Sequence, residues 1–269
     1  MLIIGERINS TRSKIQEAIK TRNAPFILKE ALAQIAGGAE FIDVNCAVTM
    51  TDEIQDIDWV ISVIQSEIPN VSISIDSPNY LAIERALKVY NAGGSLFINS
   101  ITAEDARIRQ ILPLAIEHKA KLVALTMDES GMPDTALERF EVARRIFDRV
   151  RREGFPAEDL YFDALIRPIS TEPLQAREFL ASLPLIKKLD GVKTVCGLSN
   201  VSYGLPNRSA VNATFVAMAA EAGLDAAILD PTDKLVTTTI SAARALLCKD
   251  GYCAEYIKAF REGRLVSIG

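Results

Sequence analysis

The sequence has little of the chemistry that builds metal sites and disulfide frameworks. It contains one histidine, His118, so a metal site that uses two histidines is impossible. Its four cysteines form no C-x-x-C pair, and the two that lie close together, Cys248 and Cys253, have no matching histidines. We therefore expect no resident metal, no disulfide framework, and buried, reduced thiols in a cytoplasmic protein. His118 is expected at the surface or at a helix end.

Basic residues and long apolar runs are also scarce. Lys and Arg number 30 against 35 Asp and Glu, and the net charge of −5 argues against binding nucleic acid or an anionic membrane, since both need basic patches. No apolar run approaches the roughly 18 residues of a membrane span. The four apolar residues before Gly5 are too few for a signal peptide. A small substrate or a protein partner is the expected ligand.

Short β-branched runs alternate with amphipathic helical patterns along the chain. The predicted strands cover residues 2–9, 41–46, 71–77, 95–100, 121–127, 160–166, 194–200 and 226–231. Several of the intervening helical patterns end in a stop glycine: Gly37–Gly38, Gly154 and Gly223. Such alternation implies parallel strands covered by helices, and eight units in a chain of about 270 residues fit a (β/α)8 TIM barrel.

A doubly wound open sheet is the competing architecture. It usually has fewer strands and often a glycine-rich turn after the first, whereas "GERINS" at 5–10 is not G-x-G-x-x-G. No linker or low-complexity stretch divides the chain. We therefore predict one barrel domain over residues 1–269, with a last helix over 252–264.

Nearly every predicted strand ends in a carboxylate or an amide, at the face where barrels bind their ligands. The polar residues at these ends are Glu6, Arg7, Asn9, Asp43, Asn45, Asp76, Asn99, Ser100, Thr126, Asp163, Ser199, Asn200 and Asp230. Any one of them alone is well explained as a helix cap or an Asx turn, and Asp230 is interpreted as a cap and left out of the site. Convergence from so many strands on one mouth favours a binding site instead.

The chemistry of these side chains points to a flat polar ring. Carboxylates only accept hydrogen bonds, whereas amides both donate and accept. Asp with Asn suits a planar heterocycle that shows adjacent N–H and C=O groups, such as a 2-amino-4-oxo pyrimidine ring. The mouth is poor in lysine, so it does not resemble a phosphate cradle.

Six segments at these strand ends carry a family resemblance. They are "LIIGERIN" (2–9), "DVN" (43–45), "SIDS" (74–77), "FINS" (97–100), "LTM" (125–127) and "GLSNVSYGLPNR" (197–208). Together they resemble the pterin-binding methyltransferases, in collinear order from residue 2 to residue 260. The nearest groups are the methyltetrahydrofolate:corrinoid/iron–sulfur protein methyltransferases and the tetrahydrofolate-dependent methyltransferases of anaerobic demethylase systems. The folate domain of cobalamin-dependent methionine synthase and dihydropteroate synthase are similar at a greater distance.

The resemblance implies a barrel that moves a methyl group between N5 of tetrahydrofolate and the cobalt of a corrinoid (cobalamin) carried by another protein. It implies pterin ligands at Asp76, Asn99 and Asp163, and a catalytic amide at Asn200 near N5. It implies that Gly197 and Ser199 line the pocket and that Arg208 lies beside it. Glu6, Asn9, Asp43 and Asn45 are further candidates at the same mouth. A homodimer is also implied, with "FVAMAAEAGL" (215–224) as a sequence hint.

The corrinoid is expected to arrive on a separate protein. Proteins that hold it with a histidine as lower ligand use D-x-H-x-x-G, and "IEHKAKL" around His118 lacks both the Asp and the Gly. The loops at 45–53 and 203–207 differ from the relatives' versions, where the glutamyl tail or the partner would approach. The partner, the direction of transfer, the methyl donor and the tail preference therefore stay open.

Three alternatives remain beside this hypothesis. A dihydropteroate synthase-like enzyme would need a Ser-x-Arg or lysine-bearing motif near the last strands, which "AAILDPTD" (226–233) does not supply. A folate-binding barrel without catalysis would bind the ring and transfer nothing. A barrel enzyme that acts on an unrelated ligand is the third alternative.

Overall fold

Eight parallel strands close into a barrel, in which strands consecutive in the chain are neighbours. The computed structural model describes residues 1–48, 52–91 and 93–266. The strands are β1 (Leu2–Asn9), β2 (Phe41–Asn45), β3 (Ile73–Asp76), β4 (Leu96–Ile101), β5 (Lys121–Leu125), β6 (Leu160–Asp163), β7 (Lys193–Gly197) and β8 (Ala226–Leu229). The predicted (β/α)8 TIM barrel is confirmed, and the open doubly wound sheet is excluded.

Helices cover the outside of the barrel between the strands. They are α1 (Ser13–Lys20), α2 (Ala24–Ala36), α3 (Glu53–Glu67), α4 (Tyr80–Val89), α5 (Asp105–Glu117), α6 (Ala136–Arg152), α7 (Gln175–Ile186), α8 (Arg208–Ala222), α9 (Lys234–Leu246) and α10 (Ala254–Arg261). The predicted stop signals act as expected: Gly223 follows α8 with a φ of 110°, a left-handed conformation that favours glycine.

Side chains alternate along each strand between the helix layer and the barrel interior. On β2 the inward positions read Phe41, Asp43 and Asn45, so the interior changes from apolar to polar toward the carboxyl ends of the strands. In the apolar half, the Phe97 ring packs edge to face against Phe41 and Tyr161, with centroid distances of 4.9 and 4.8 Å. These three rings are called the aromatic layer below. The polar half forms the mouth.

The structure corrects the expectation for two of the four cysteines and confirms the expected position of His118. Cys46 and Cys196 are buried as expected, but Cys248 and Cys253 are exposed, because they lie in the turn after α9 and directly before α10. His118 lies at the exposed C-terminal end of α5, as predicted.

The loop singled out at 45–53 falls partly outside the described residues, which omit 49–51, and the predicted domain extends to 267–269, also outside them. Over the residues that are described, no helix is both long and apolar enough to cross a membrane.

Candidate functional site at the barrel mouth

Three polar side chains lie next to one another where β2, β3 and β4 end. The strand register pairs Asn45 with Asp76, and Asp76 with Asn99. One level deeper, Asp43 on β2 lies beside Ser74 on β3. Because all these positions face inward, the structure brings together four residues that the sequence predicts separately. Asp43, Asn45, Asp76 and Asn99 are called the Asp–Asn cluster below.

Hydrogen bonds join the members of the Asp–Asn cluster. The Asn45 amide donates to Asp76 over 2.8 Å, and the Ser74 hydroxyl donates to Asp43 over 2.7 Å. Asn99 also hydrogen-bonds to the Asp43 carboxyl. The cluster is therefore ordered before any ligand binds, which reduces the entropy lost on binding.

Burial makes the carboxyl groups of this cluster weak acids. Asp43 is only 3% exposed. Burial, followed by the nearby charge of Asp76, raises the pKa of Asp43 well above its usual range. Burial also raises the pKa of Asp76 to about 6, against the lowering effect of the Asn45 hydrogen bond. Donors on a ligand ring would stabilise the ionised form of Asp76.

A cleft of about 340 Å³ opens beside Asp76 and Asn99. This volume is in the usual range for small-molecule sites. Arg107 lines the cleft and donates to the backbone carbonyl oxygens of Ser77, Pro78 and Ser100 over 2.8, 2.7 and 2.9 Å. Since it joins the loop after β3 to the last residues of β4, Arg107 stabilises the rim of the cleft.

Asp163 provides a carboxylate on the other side of the mouth. It ends β6, is 7% exposed, and accepts the backbone N–H of Leu165 over 2.7 Å and that of Gly197 over 3.4 Å. Burial raises the pKa of Asp163 to about 6, even though these two hydrogen bonds lower it. Asp163 thus links the end of β6 to the end of β7, where the next predicted residues lie.

The chain turns sharply after Gly197, and this turn carries Asn200. Residues 198–202, called the asparagine turn below, form a short 3-10 helix. Asn200 is exposed, and within the described residues its side chain makes no hydrogen bond. A Cβ on Gly197 would lie 3.1 Å from the Asn200 amide nitrogen. The glycine therefore leaves room for this amide to lie over the strand end, and the amide is not a helix cap.

Glu6, Ser199 and Arg208 also meet at the asparagine turn. The Ser199 hydroxyl donates to Glu6 over 2.8 Å, and Arg208 donates to the Ser199 carbonyl oxygen over 2.7 Å. Burial raises the pKa of Glu6 to about 7. The charge of Glu6 also raises the pKa of Asp43, which connects this side of the mouth electrostatically to the Asp–Asn cluster.

Two strand-end residues have local structural roles. The Asn9 side-chain oxygen accepts the backbone N–H and the hydroxyl of Thr11, which closes a local turn. Asp230 does not cap α9, contrary to the sequence interpretation, because Asp233 accepts the first N–H groups of that helix. Asp230 instead accepts the Thr232 N–H over 3.0 Å and pairs with Arg7 over 2.7 Å.

Sequence reasoning placed Thr126 at a strand end but missed Ser74 and Arg107 as parts of the mouth. Ser74 could have been found from alternation, because it lies two positions before Asp76 on the same strand. Thr126, directly after β5, is fully buried with a hydroxyl that has no hydrogen-bond partner. The sequence pattern did not indicate the role of Arg107. Its position, third in α5, does not show which backbone groups its side chain binds.

No metal centre is evident in the part of the chain that the structure describes. There, no group of three or more His, Cys, Asp or Glu side chains is arranged to hold an ion. The donor set is instead carboxylates and amides that bond to one another. These groups match the hydrogen-bonding edge of a polar heterocycle.

Comparison with known proteins agrees with this geometry. The family model described as "Pterin binding enzyme" matches residues 5–230, so the chain belongs to the pterin-binding enzyme family. Over 268 residues it is 30% identical to the methylcorrinoid:tetrahydrofolate methyltransferase of Eubacterium limosum, with 98% of both chains covered. It is 31% identical over 243 residues to methionine synthase of Mycobacterium tuberculosis, covering 85% of this chain but only 20% of that longer protein.

Several solved structures with a similar fold are dihydropteroate synthases. The Yersinia pestis enzyme with a bound pterine–sulfa conjugate superposes with a TM-score of 0.70 at 15% identity, over 92% of this chain and 94% of that one. The Xanthomonas albilineans enzyme in complex with 7,8-dihydropteroate gives a TM-score of 0.69 at 18% identity, over 93% and 94% of the two chains. At such identities the likeness establishes the shared barrel fold and nothing about the reaction.

Proposed function

We propose that this protein transfers a methyl group between N5 of tetrahydrofolate and the cobalt of a corrinoid carried by a separate protein. The observation that carries the proposal is the 30% identity, over 98% of both chains, to a methylcorrinoid:tetrahydrofolate methyltransferase. The geometry of the mouth supports it. The partly buried acceptor Asp76 and the buried acceptor Asp163 fit the N–H donors of a pterin, and Asn200 presents an unengaged amide at the same opening.

The reaction requires the protein to position the two reactants and to provide a group at N5 that can either donate or accept a hydrogen bond. In one direction the cobalt(I) electron pair forms the new cobalt–carbon bond while the N5–carbon bond breaks. N5 keeps that bonding pair and takes up a proton. In the reverse direction the N5 lone pair forms the bond to the methyl group, cobalt regains the bonding pair, and N5 releases its proton. The Asn200 amide can donate through its NH2 or accept through its oxygen, so it can stabilise N5 in either direction.

In this proposal the corrinoid is a substrate delivered by a partner. His118, the one histidine of the sequence, lies at the end of α5, and α5 runs away from the mouth toward the start of β5. The polar residues of the mouth are carboxylates, amides and hydroxyls, with two arginines, Arg107 and Arg208, at its rim. They suit a pterin ring and do not suit a resident corrinoid.

Folate binding and methyl transfer can be measured separately. We expect calorimetry to show that Asp76→Ala and Asp163→Ala each weaken methyltetrahydrofolate binding by about 1–3 kcal/mol, because each leaves ring donors unpaired. Transfer between methyltetrahydrofolate and cobalamin would be followed by the absorbance of the corrinoid. Asp159→Ala is the matched control, because Asp159 directly precedes β6, at the end opposite Asp163, and pairs with Lys121 over 2.8 Å.

Each alternative has its own outcome in these assays. Unchanged folate affinity in both site variants would show that the pterin assignment is wrong. Tight folate binding without transfer to any corrinoid would identify a binding protein. Condensation of a dihydropterin pyrophosphate with 4-aminobenzoate would identify a dihydropteroate synthase-like enzyme.

We also propose that the chain acts as one domain and as a homodimer. Met218 on α8 is 51% exposed within the segment that the sequence singled out, whereas its neighbours Phe215 and Val216 are buried. One exposed methionine is a small apolar surface. The oligomeric state is therefore decided by measurement.

A further inference from the structure

Glu6 on β1 makes a hydrogen bond to Ser199, in the turn after β7, although β1 and β7 are not neighbouring strands. Glu6 lies on β1 at an inward position, two residues after Ile4 of the interior core. Its Oε1 accepts the Ser199 hydroxyl over 2.8 Å, although β8 lies between β1 and β7 in the barrel. Because β8 ends at Leu229, the bond passes over the end of that strand. It anchors the asparagine turn to the opposite side of β8.

Ser199 is held through its side-chain hydroxyl and its backbone carbonyl oxygen. Its hydroxyl is bound by Glu6, and its carbonyl oxygen accepts from Arg208 Nη2 over 2.7 Å. Arg208 Nε also donates to the Ser202 hydroxyl over 3.0 Å, so the same guanidinium holds both ends of the turn. The next residue, Asn200, has no such anchor on its side chain within the described chain. The direction of the Asn200 amide is therefore set by the backbone that Ser199 fixes.

We propose that Glu6 is a positioning residue for methyl transfer: its carboxylate, acting through Ser199, holds the turn that presents the Asn200 amide to N5 of the folate. This role rests on the function proposed above. It assigns Glu6 no direct contact with the methyl group and no transfer of a proton to N5.

The surroundings of Glu6 make its charge state depend on pH near neutrality. Burial has the largest effect and raises the pKa of Glu6 to about 7. The Ser199 hydrogen bond lowers it, as do the charges of Arg12 and Arg208, and the charge of Asp230 raises it. On the neighbouring strand β2, Asp43 also interacts with Glu6. An ionised carboxylate binds a hydroxyl more strongly than a neutral acid does, so the anchor is strongest above neutral pH.

The test compares Glu6→Gln, Ser199→Ala and the double variant in single-turnover methyl transfer with free cobalamin, from about pH 6 to about pH 8. Glutamine keeps an acceptor oxygen but cannot ionise. We expect Glu6→Gln to lose about tenfold in rate at the higher pH and little at the lower pH, so that the ratio of wild-type to variant rate rises with pH. Folate affinity should stay within about twofold, because the ring ligands are untouched.

The double variant and a matched control separate positioning from general damage. If Glu6 acts through Ser199, the double variant should be no slower than Ser199→Ala alone. Glu40→Gln is the control, because Glu40 directly precedes β2 and binds the Ile3 N–H over 3.3 Å at the opposite end of β1. It should leave the rate and its pH dependence unchanged. Should Glu6→Gln fail to fold, Ser199→Ala carries the test, and a normal rate in that variant would overturn the proposal.

Failure of this inference differs from failure of the proposed function. An active wild type whose Glu6→Gln variant keeps the same rate and the same pH profile overturns the positioning role alone. Additive losses in the double variant would also overturn it, because they would mean that the two residues act independently. A wild type that transfers no methyl group to or from cobalamin overturns the proposed function and this inference with it.

Discussion

Asp163→Asn should make the folding stability of the protein less sensitive to rising pH. Burial raises the pKa of Asp163 to about 6, whereas an unfolded chain has a value near its usual 3.8. The folded state therefore holds this proton more tightly than the unfolded state does. The stability from this group is fully present below the unfolded value and is lost as pH rises through about 6. Asparagine cannot ionise, so the variant does not suffer this loss.

The size of the effect follows from the pKa shift. A difference of about two pKa units corresponds to about 3 kcal/mol at full titration, of which about 2 kcal/mol falls between about pH 4.5 and about pH 7.5. For a chain of this length that is about 4–8 °C in Tm. The asparagine NH2 also faces one of the two backbone N–H groups that Asp163 now binds, and this lowers stability at every pH. The informative quantity is therefore the change with pH of the difference in Tm.

Thermal unfolding of wild type and variant in matched buffers at the two pH values measures this quantity. We expect the Tm of Asp163→Asn, relative to wild type, to rise by several degrees from the lower to the higher pH. Asp159→Asn is the control at the other end of β6. It removes an ion pair with Lys121 and should gain no stability at the higher pH. A Tm difference that is the same at both pH values would refute the view that the site keeps a desolvated carboxyl.

The remaining predictions concern the catalytic amide, the corrinoid and assembly. Asn200→Ala should fold, bind methyltetrahydrofolate at most modestly more weakly, and lose roughly 100-fold or more in single-turnover rate. Asn23→Ala, which removes a true cap from α2, should lose about 1 kcal/mol of stability and keep its rate; the same pattern in Asn200→Ala would identify a structural asparagine. Elemental analysis of the purified chain should show no stoichiometric cobalt, and finding it would contradict a corrinoid carried by a partner. Sedimentation at micromolar protein should give twice 29.4 kDa, and a mass equal to one chain would exclude the dimer.

Much of the fold could be predicted because the strand signal is strong. Eight β-branched runs separated by helical patterns determine the barrel, and only the strand ends were placed inaccurately. The seventh run was predicted to extend to residue 200, whereas β7 ends at Gly197 and Asn200 lies in a 3-10 helix. Chain direction changes there because Gly197 is followed by residues that bond within the turn and to Arg208. Strand propensity does not register such contacts.

The candidate site was predictable as a set of residues and not as a network. Alternation along a strand shows that Asp43 and Asn45 share a face, but it does not show which neighbour each one binds. The bond between Glu6 and Ser199 joins residues 193 positions apart, and only closure of the barrel brings them together. The expected burial of Cys248 and Cys253 failed for a related reason, since residue type alone does not show that a segment lies in an exposed turn.

The aromatic layer limits the order in which two ligands can bind at the mouth. Phe41, Phe97 and Tyr161 fill the barrel below the carboxylates, and Phe97 is fully buried, so the described residues close the barrel below the mouth. A ring that binds against Asp76 must therefore enter before a large molecule covers the mouth, and it must leave by the same route. If the protein transfers methyl groups as proposed above, the corrinoid protein would have to bind after the folate and leave before it. The aromatic layer would then fix the order of binding.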